Sequence, residues 1–167
     1  MSGNNQTPQT VEVKAAAAAA EDTIQLACFV IDELLCGVDI NWVQEINQNL
    51  AVTQVPLSPD YVLGIMNLRG RIVTVINLGK KVGLAPCKIG DKSRVIIVDR
   101  DDEYIGLLVD GIKDVVTISV SEITHPPANI DIDKGTFFSG ACKLGDALIS
   151  ILDVEAVLAE EKKGEKG

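Results

Sequence analysis

Residues 64–78 read Gly64-Ile65-Met66-Asn67-Leu68-Arg69-Gly70-Arg71-Ile72-Val73-Thr74-Val75-Ile76-Asn77-Leu78. Residues 140–154 read Gly140-Ala141-Cys142-Lys143-Leu144-Gly145-Asp146-Ala147-Leu148-Ile149-Ser150-Ile151-Leu152-Asp153-Val154. Aligned from their first glycines, Leu68 meets Leu144, Thr74 meets Ser150 and Asn77 meets Asp153. Ile72, Val73, Val75 and Ile76 meet Leu148, Ile149, Ile151 and Leu152. A generic strand-turn-strand alternation would give part of this match. Coincident punctuation, in the same order in both stretches, marks an internal duplication.

An upstream pair extends it. Gly37-Val38-Asp39-Ile40-Asn41-Trp42-Val43-Gln44-Glu45-Ile46 aligns with Gly106-Leu107-Leu108-Val109-Asp110-Gly111-Ile112-Lys113-Asp114-Val115. Apolar residues coincide at the second, fourth, seventh and tenth places, and the ninth is acidic in both. The approximate repeat units are 24–84 and 93–158. Around them, short Val- and Ile-rich runs such as 27–31, 95–98 and 105–109 are punctuated by Gly, Pro, Asn and Asp, which predicts an all-β barrel or sandwich. Each unit is too small to bury a large core alone. Two similar β-lobes are therefore expected, each built of two hairpins, sharing an Ile/Val/Leu core with a groove at their junction.

Local signals refine this. Asp99–Glu103 predicts the turn of a hairpin over 94–109. Asn67 and Gly70 suit the ends of a type I turn, leaving Leu68 and Arg69 at its tip or Arg69 folded back over the sheet. Asn77 predicts the cap of a short helix ending at Gly83. Asp153 predicts the cap of a last helix with Val154, Val157 and Leu158 on one face. Ser119 to Glu122 matches a capping box, stopped by Pro126-Pro127. Trp42 should be at least half buried. Residues 1–22 read as a disordered tail, 23–160 as one domain, and 161–167 as a frayed end.

Composition bounds the function. The chain has 167 residues, 47% of them hydrophobic and 23% charged, the profile of a folded protein. With 24 acidic residues against 15 basic, its net charge is -9, unsuited to nucleic acid or an anionic membrane surface. One histidine, His125, excludes two-histidine metal sites. Cys28, Cys36, Cys87 and Cys142 form no Cys-x-x-Cys pair and read as buried thiols of a cytosolic protein. No nucleophile elbow, phosphate loop or calcium loop is present. No catalytic residue, cofactor or metal is expected, and what remains is a surface for contacts.

Gly64–Leu78, Gly37–Ile46, Gly106–Asp110 and Phe138–Leu158 together resemble CheW-like domains, the bacterial chemotaxis coupling proteins, over residues 24–160. The resemblance implies two small SH3-like five-stranded β-barrels around a common apolar core. It implies a non-catalytic adaptor that binds the cytoplasmic tip of chemoreceptors (methyl-accepting chemotaxis proteins) and the regulatory domain of a CheA-type histidine kinase. It implies a cytoplasmic protein recruited to membrane-associated receptor arrays without inserting into the membrane. Ile40, Val43, Glu45, Gly64 and Arg69 match the family's receptor-binding residues, while the kinase contact is unassigned. A CheW-like adaptor of another chemosensory pathway, serving pilus motility or surface sensing, is the alternative; an enzyme is the third class. The chain departs from the family pattern at Cys36, where an aromatic is common, at Thr74 for Pro, and at Asn77-Leu78-Gly79 for Asp-Leu-Arg, with Lys80 as the substitute for the missing arginine.

Overall fold

A computed structural model describes residues 22–124 and 137–159. The expectations for residues 1–21 and 160–167, and for His125, Pro126 and Pro127, fall outside them. Ten strands run in order: β1 (Thr23–Ile31), β2 (Leu34–Asp39), β3 (Val43–Asn47), β4 (Val62–Leu68), β5 (Arg71–Asn77), β6 (Arg94–Arg100), β7 (Glu103–Val109), β8 (Gly111–Ser119), β9 (Phe138–Leu144) and β10 (Ala147–Leu152). Helix α1 spans Leu78–Lys81 and helix α2 spans residues 154–159.

The strands form two five-stranded sheets, ordered β8-β1-β2-β10-β9 (barrel A) and β3-β6-β7-β5-β4 (barrel B). Advancing every strand number by five turns the first order into the second. The duplication is thus present in three dimensions, but not as one lobe per repeat. Each barrel takes hairpins from both halves: barrel A joins β1-β2 to β9-β10, and barrel B joins β6-β7 to β4-β5. The joints are the parallel pairs β2·β10, with Gly37 opposite Ile151, and β5·β7, with Gly106 opposite Val75. The exchange begins at a single 3-10 turn, Ile40–Trp42, capped by the Asp39 carboxylate, which sends the chain from β2 in one sheet to β3 in the other. Half-repeats too small to enclose a core thereby share one.

That core explains the unbroken apolar runs. On β1, Leu26 and Cys28 face a small cluster inside barrel A with Ile118, Cys142, Ile149 and Ile151. Ala27, Phe29 and Ile31 face the main cluster, shared with Val73, Val75 and Val95 to Val98 of barrel B. A strand buried on both faces cannot alternate polar and apolar residues. Trp42 is half-buried and packs against the main cluster. Among the described residues the four cysteines are buried free thiols. Burial raises the pKa of each, pushing Cys87 up to about 12.

The caps fall where expected. Asn77 accepts from Lys80 N–H at 3.3 Å, and Asp153 accepts from Ala156 N–H at 3.1 Å. Val154, Val157 and Leu158 are buried. Asn77 does more, since its side chain also bonds both the N–H (2.9 Å) and the carbonyl (3.0 Å) of Cys87. The Ser119 capping signal yields only one 3-10 turn, Val120–Glu122. Asp110, between β7 and β8, ties the barrels together: its carboxylate accepts from Asp32 N–H (2.6 Å) and Lys88 N–H (2.8 Å).

Candidate functional site

All four hairpins have two-residue loops, fixed by the pairs Ile31–Leu34, Leu68–Arg71, Arg100–Glu103 and Leu144–Ala147. The type I turn expected over Asn67–Gly70 is therefore corrected. Arg69 (φ 52°) and Gly70 (φ 85°) are the loop, both left-handed as in a type I′ turn. This turn matches the right-handed strand twist that a type I turn would splay. Leu68 is not at the tip but buried at the end of β4. Asn67 stays at the turn, its side chain accepting from Gly70 N–H at 2.9 Å.

The Arg69 side chain leaves this turn toward β3. β3 and β4 are the two outer strands of barrel B. The guanidinium of Arg69 pairs with Glu45 Oε1 across the seam between them. The second carboxylate oxygen, Oε2, accepts from Asn47 Nδ2 at 3.2 Å. Hydrogen bonds from Arg69 and then Asn47 hold the Glu45 carboxyl below its ordinary pKa. The Glu45 side chain is 22% exposed and that of Arg69 75%, so the carboxylate is a partly sunken base and the guanidinium faces solvent.

Magnitudes decide what the pair is for. A surface ion pair contributes about 0–1 kcal/mol. Holding a non-glycine residue in the left-handed region costs roughly 1–2 kcal/mol. The pair thus adds no net stability to the turn that carries it.

The other expected residues fall around this pair in different ways. Val43 lies two residues before Glu45 on β3, half-buried against the main core, opposite Val98. Ile40 is half-buried in the 3-10 turn just ahead. Gly64 is buried on β4 with φ 151°, beneath the segment that closes the barrel. There Thr53 and Ile65 exchange two backbone bonds of 2.8 Å. A Cβ on Gly64 would lie 2.3 Å from the Thr53 carbonyl oxygen. Gly64 therefore shapes the rim rather than presenting a side chain.

Sequence reasoning missed Asn47. Its side chain links the Glu45 carboxylate to a succession of Asx turns, accepting from Asn49 N–H (2.6 Å) while Asn49 accepts from Ala51 N–H (3.0 Å). The signal was the Asn-x-Asn spacing after a strand. The replaced arginine also has a physical account. A Cβ on Gly79 would meet the Ala85 carbonyl oxygen at 2.1 Å, so position 79 has no room for a side chain. Lys80 instead donates to the Asp60 carbonyl at 3.3 Å. Among the described residues no group of three or more His, Cys, Asp or Glu could hold a metal ion, and no helix is long and apolar enough to cross a membrane.

The CheW-like domain family matches residues 25–162. The chain belongs to this family. As a CheW-like domain it is 30% identical to the chemotaxis protein CheW of Treponema pallidum over 149 residues, covering 87% of this chain and 88% of that one. It is 31% identical to CheW of Bacillus subtilis over 137 residues, covering 82% and 88%. The crystal structure of the scaffolding protein TtCheW from Thermoanaerobacter tengcongensis superposes with a TM-score of 0.73 at 33% identity, covering 81% of this chain and 88% of that one. Two SH3-like five-stranded barrels with few short helices are thus the CheW-like architecture, and the chain stands with chemotaxis adaptor and scaffold proteins.

Proposed function

We propose that this chain is a non-catalytic coupling protein of chemotaxis signalling. It joins the cytoplasmic tip of transmembrane chemoreceptors to the regulatory domain of a CheA-type histidine kinase. It works in the cytoplasm, at membrane-associated receptor arrays. The observation that carries the reading is Arg69: an arginine held in a strained turn, steadied by Glu45 and facing solvent. Membership of the CheW-like family supports this choice of partner classes.

The mechanism is binding geometry. A receptor tip is a helical hairpin, and its apolar face would lie along the rim formed by Ile40, Val43 and the β3–β4 seam over Gly64. Aliphatic burial at about 25 cal/mol per Å² supplies the affinity. The Arg69 guanidinium, oriented by Glu45, fixes register by meeting polar groups of the hairpin. No bond is made or broken; kinase control follows from holding both partners at once.

The test is reconstituted kinase autophosphorylation with receptor-bearing membranes, with and without the chain. The expected result is that the chain places the kinase under receptor control. Binding to neither partner would remove the reading.

A further inference from the structure

The Gly70 side of the Arg69 turn faces open space, since a Cβ on Gly70 would meet no atom within 4 Å. A non-glycine residue in the left-handed region persists only where its surroundings hold it there. The Glu45 carboxylate holds this turn from the β3 side. The other neighbour of the β4–β5 hairpin is β7.

β5 and β7 pair in parallel from Thr74 opposite Ile105 onward. Arg71 and Asp102 each stand three residues ahead of that pair, past the end of the ladder. There one side chain takes over from the backbone. Arg71 Nη2 donates to the Asp102 carbonyl at 2.9 Å, and the guanidinium carbon lies 3.8 Å from the centroid of the Tyr104 ring. A cation this close to a ring is attracted by the ring quadrupole. Tyr104 is half-buried and packs against the main core, which makes the ring a fixed point. The hairpin tip is thereby tied on both sides, by Arg69 to β3 and by Arg71 to β7, with Gly70 between them.

The other barrel is built without this tie. The hairpin register puts Ala147 where barrel B has Arg71, and the aligned repeats put Leu35 where it has Tyr104. Neither can form the stack. The loop there opens on Gly145, which is left-handed without strain and has no side chain to aim. The brace accompanies the arginine.

We propose that Arg71 is a positioning residue for receptor binding: stacked on Tyr104 and bonded to Asp102, it holds the β4–β5 turn so that the Arg69 guanidinium meets the receptor hairpin. It acts through Arg69 and makes no receptor contact of its own. This assignment rests on the receptor-binding role of Arg69 proposed above. The brace can enrich the presenting turn by no more than its own free energy. An exposed cation–π contact sets that effect at roughly two- to fivefold in receptor affinity.

The experiment uses the full chain with Arg71→Ala, Tyr104→Leu and Tyr104→Phe, each also made in an Arg69→Gly background. Ala and Leu occupy the same places in barrel A, so the fold accommodates both. Two quantities are read: the Glu45 titration midpoint by side-chain NMR, with no partner present, and affinity for receptor-bearing membranes. Arg71→Ala and Tyr104→Leu should move the Glu45 midpoint up toward its ordinary value of 4.5 and weaken receptor binding by the factor above. Tyr104→Phe, which returns the ring, should recover both. In the Arg69→Gly background none of the three should weaken binding further. A Glu45 midpoint unmoved by Arg71→Ala and Tyr104→Leu overturns the brace and leaves the coupling function standing. Receptor affinity equal to the parent's in both variants overturns it too. So does an equal loss of binding in both backgrounds, because Arg71 would then meet the receptor directly. A parent chain that does not bind the receptor overturns both readings together.

Discussion

Arg69 and Gly145 occupy the same place in the two barrels. Each opens the two-residue loop of the hairpin that follows the barrel's closing glycine, and each is left-handed, at φ 52° and φ 63°. Barrel A uses the residue the backbone favours, and barrel B does not. The acidic partner is duplicated too, since Asp114 stands on β8 where Glu45 stands on β3. One repeat therefore carries a strained, ion-paired arginine that the other lacks.

Arg69→Gly should uncouple the two. Removing left-handed strain gains roughly 1 kcal/mol and losing the ion pair forfeits about 0–1 kcal/mol. Stability by urea denaturation should be unchanged or slightly higher. Receptor binding in a pull-down should fall. Equal receptor binding by parent and variant would take Arg69 out of the site, and a large loss of stability would mean the turn is not strained.

The Glu45–Arg69 pair should be indifferent to pH near neutrality. The folded Glu45 carboxyl sits below its ordinary value of 4.5. A depressed carboxyl contributes stability above its unfolded value, and that contribution is lost as pH falls through the folded value. The difference between parent and Glu45→Gln should thus be constant from about pH 8 to pH 5 and vanish only in acid. Side-chain NMR titration of Glu45 reads the midpoint directly. A midpoint at or above the ordinary value would show that the pair does not form in solution.

Much of this was legible because punctuation survives duplication better than apolar residues do. Gly64 and Gly140, and Asn77 and Asp153, could be matched in the sequence, and each pair does one job in the structure. The exchange of hairpins was not legible. A repeat folding on itself and a repeat trading strands with its twin share one pattern of strands and turns; only pairings such as Gly37 with Ile151 separate them. The type I′ turn was missed because Arg at a left-handed position contradicts the residue preference used to read turns. Asn47 stands two residues after Glu45 on regularly paired β3, so the two side chains share a face, but it was missed because that face meets Arg69 only through the type I′ turn the sequence did not show.

The two closing glycines should respond alike. A Cβ on Gly64 would meet the Thr53 carbonyl oxygen at 2.3 Å, and one on Gly140 would meet the Thr124 carbonyl oxygen at 2.8 Å. Gly64→Ala and Gly140→Ala should each destabilise by about 1–3 kcal/mol, as overpacking against backbone does. Gly64→Ala, with added strain at φ 151°, should lose more. Amide exchange should quicken at Thr53 and Ile65 in the first variant, and at Thr124 and Ala141 in the second. Faster exchange across both barrels from either change would mean that closure is not local.

The exchange of hairpins makes a claim about fragments. Residues 22–84 hold β1 to β5 and residues 93–159 hold β6 to β10, yet neither barrel lies within one fragment. In 22–84, β2 lacks β10 and β5 lacks β7, so both parallel joints are missing and the faces of Phe29, Val73 and Val75 have lost part of the shared core. Each fragment alone should be largely unfolded by circular dichroism at micromolar concentration, because exposed apolar strands do not offset the chain entropy. Mixed one to one, they should regain strand signal and elute as a single heterodimer, with the midpoint of unfolding rising with concentration. A stable folded monomer from either fragment would show that a repeat can close on itself. The exchange would then be one of two accessible packings instead of the condition for having a core.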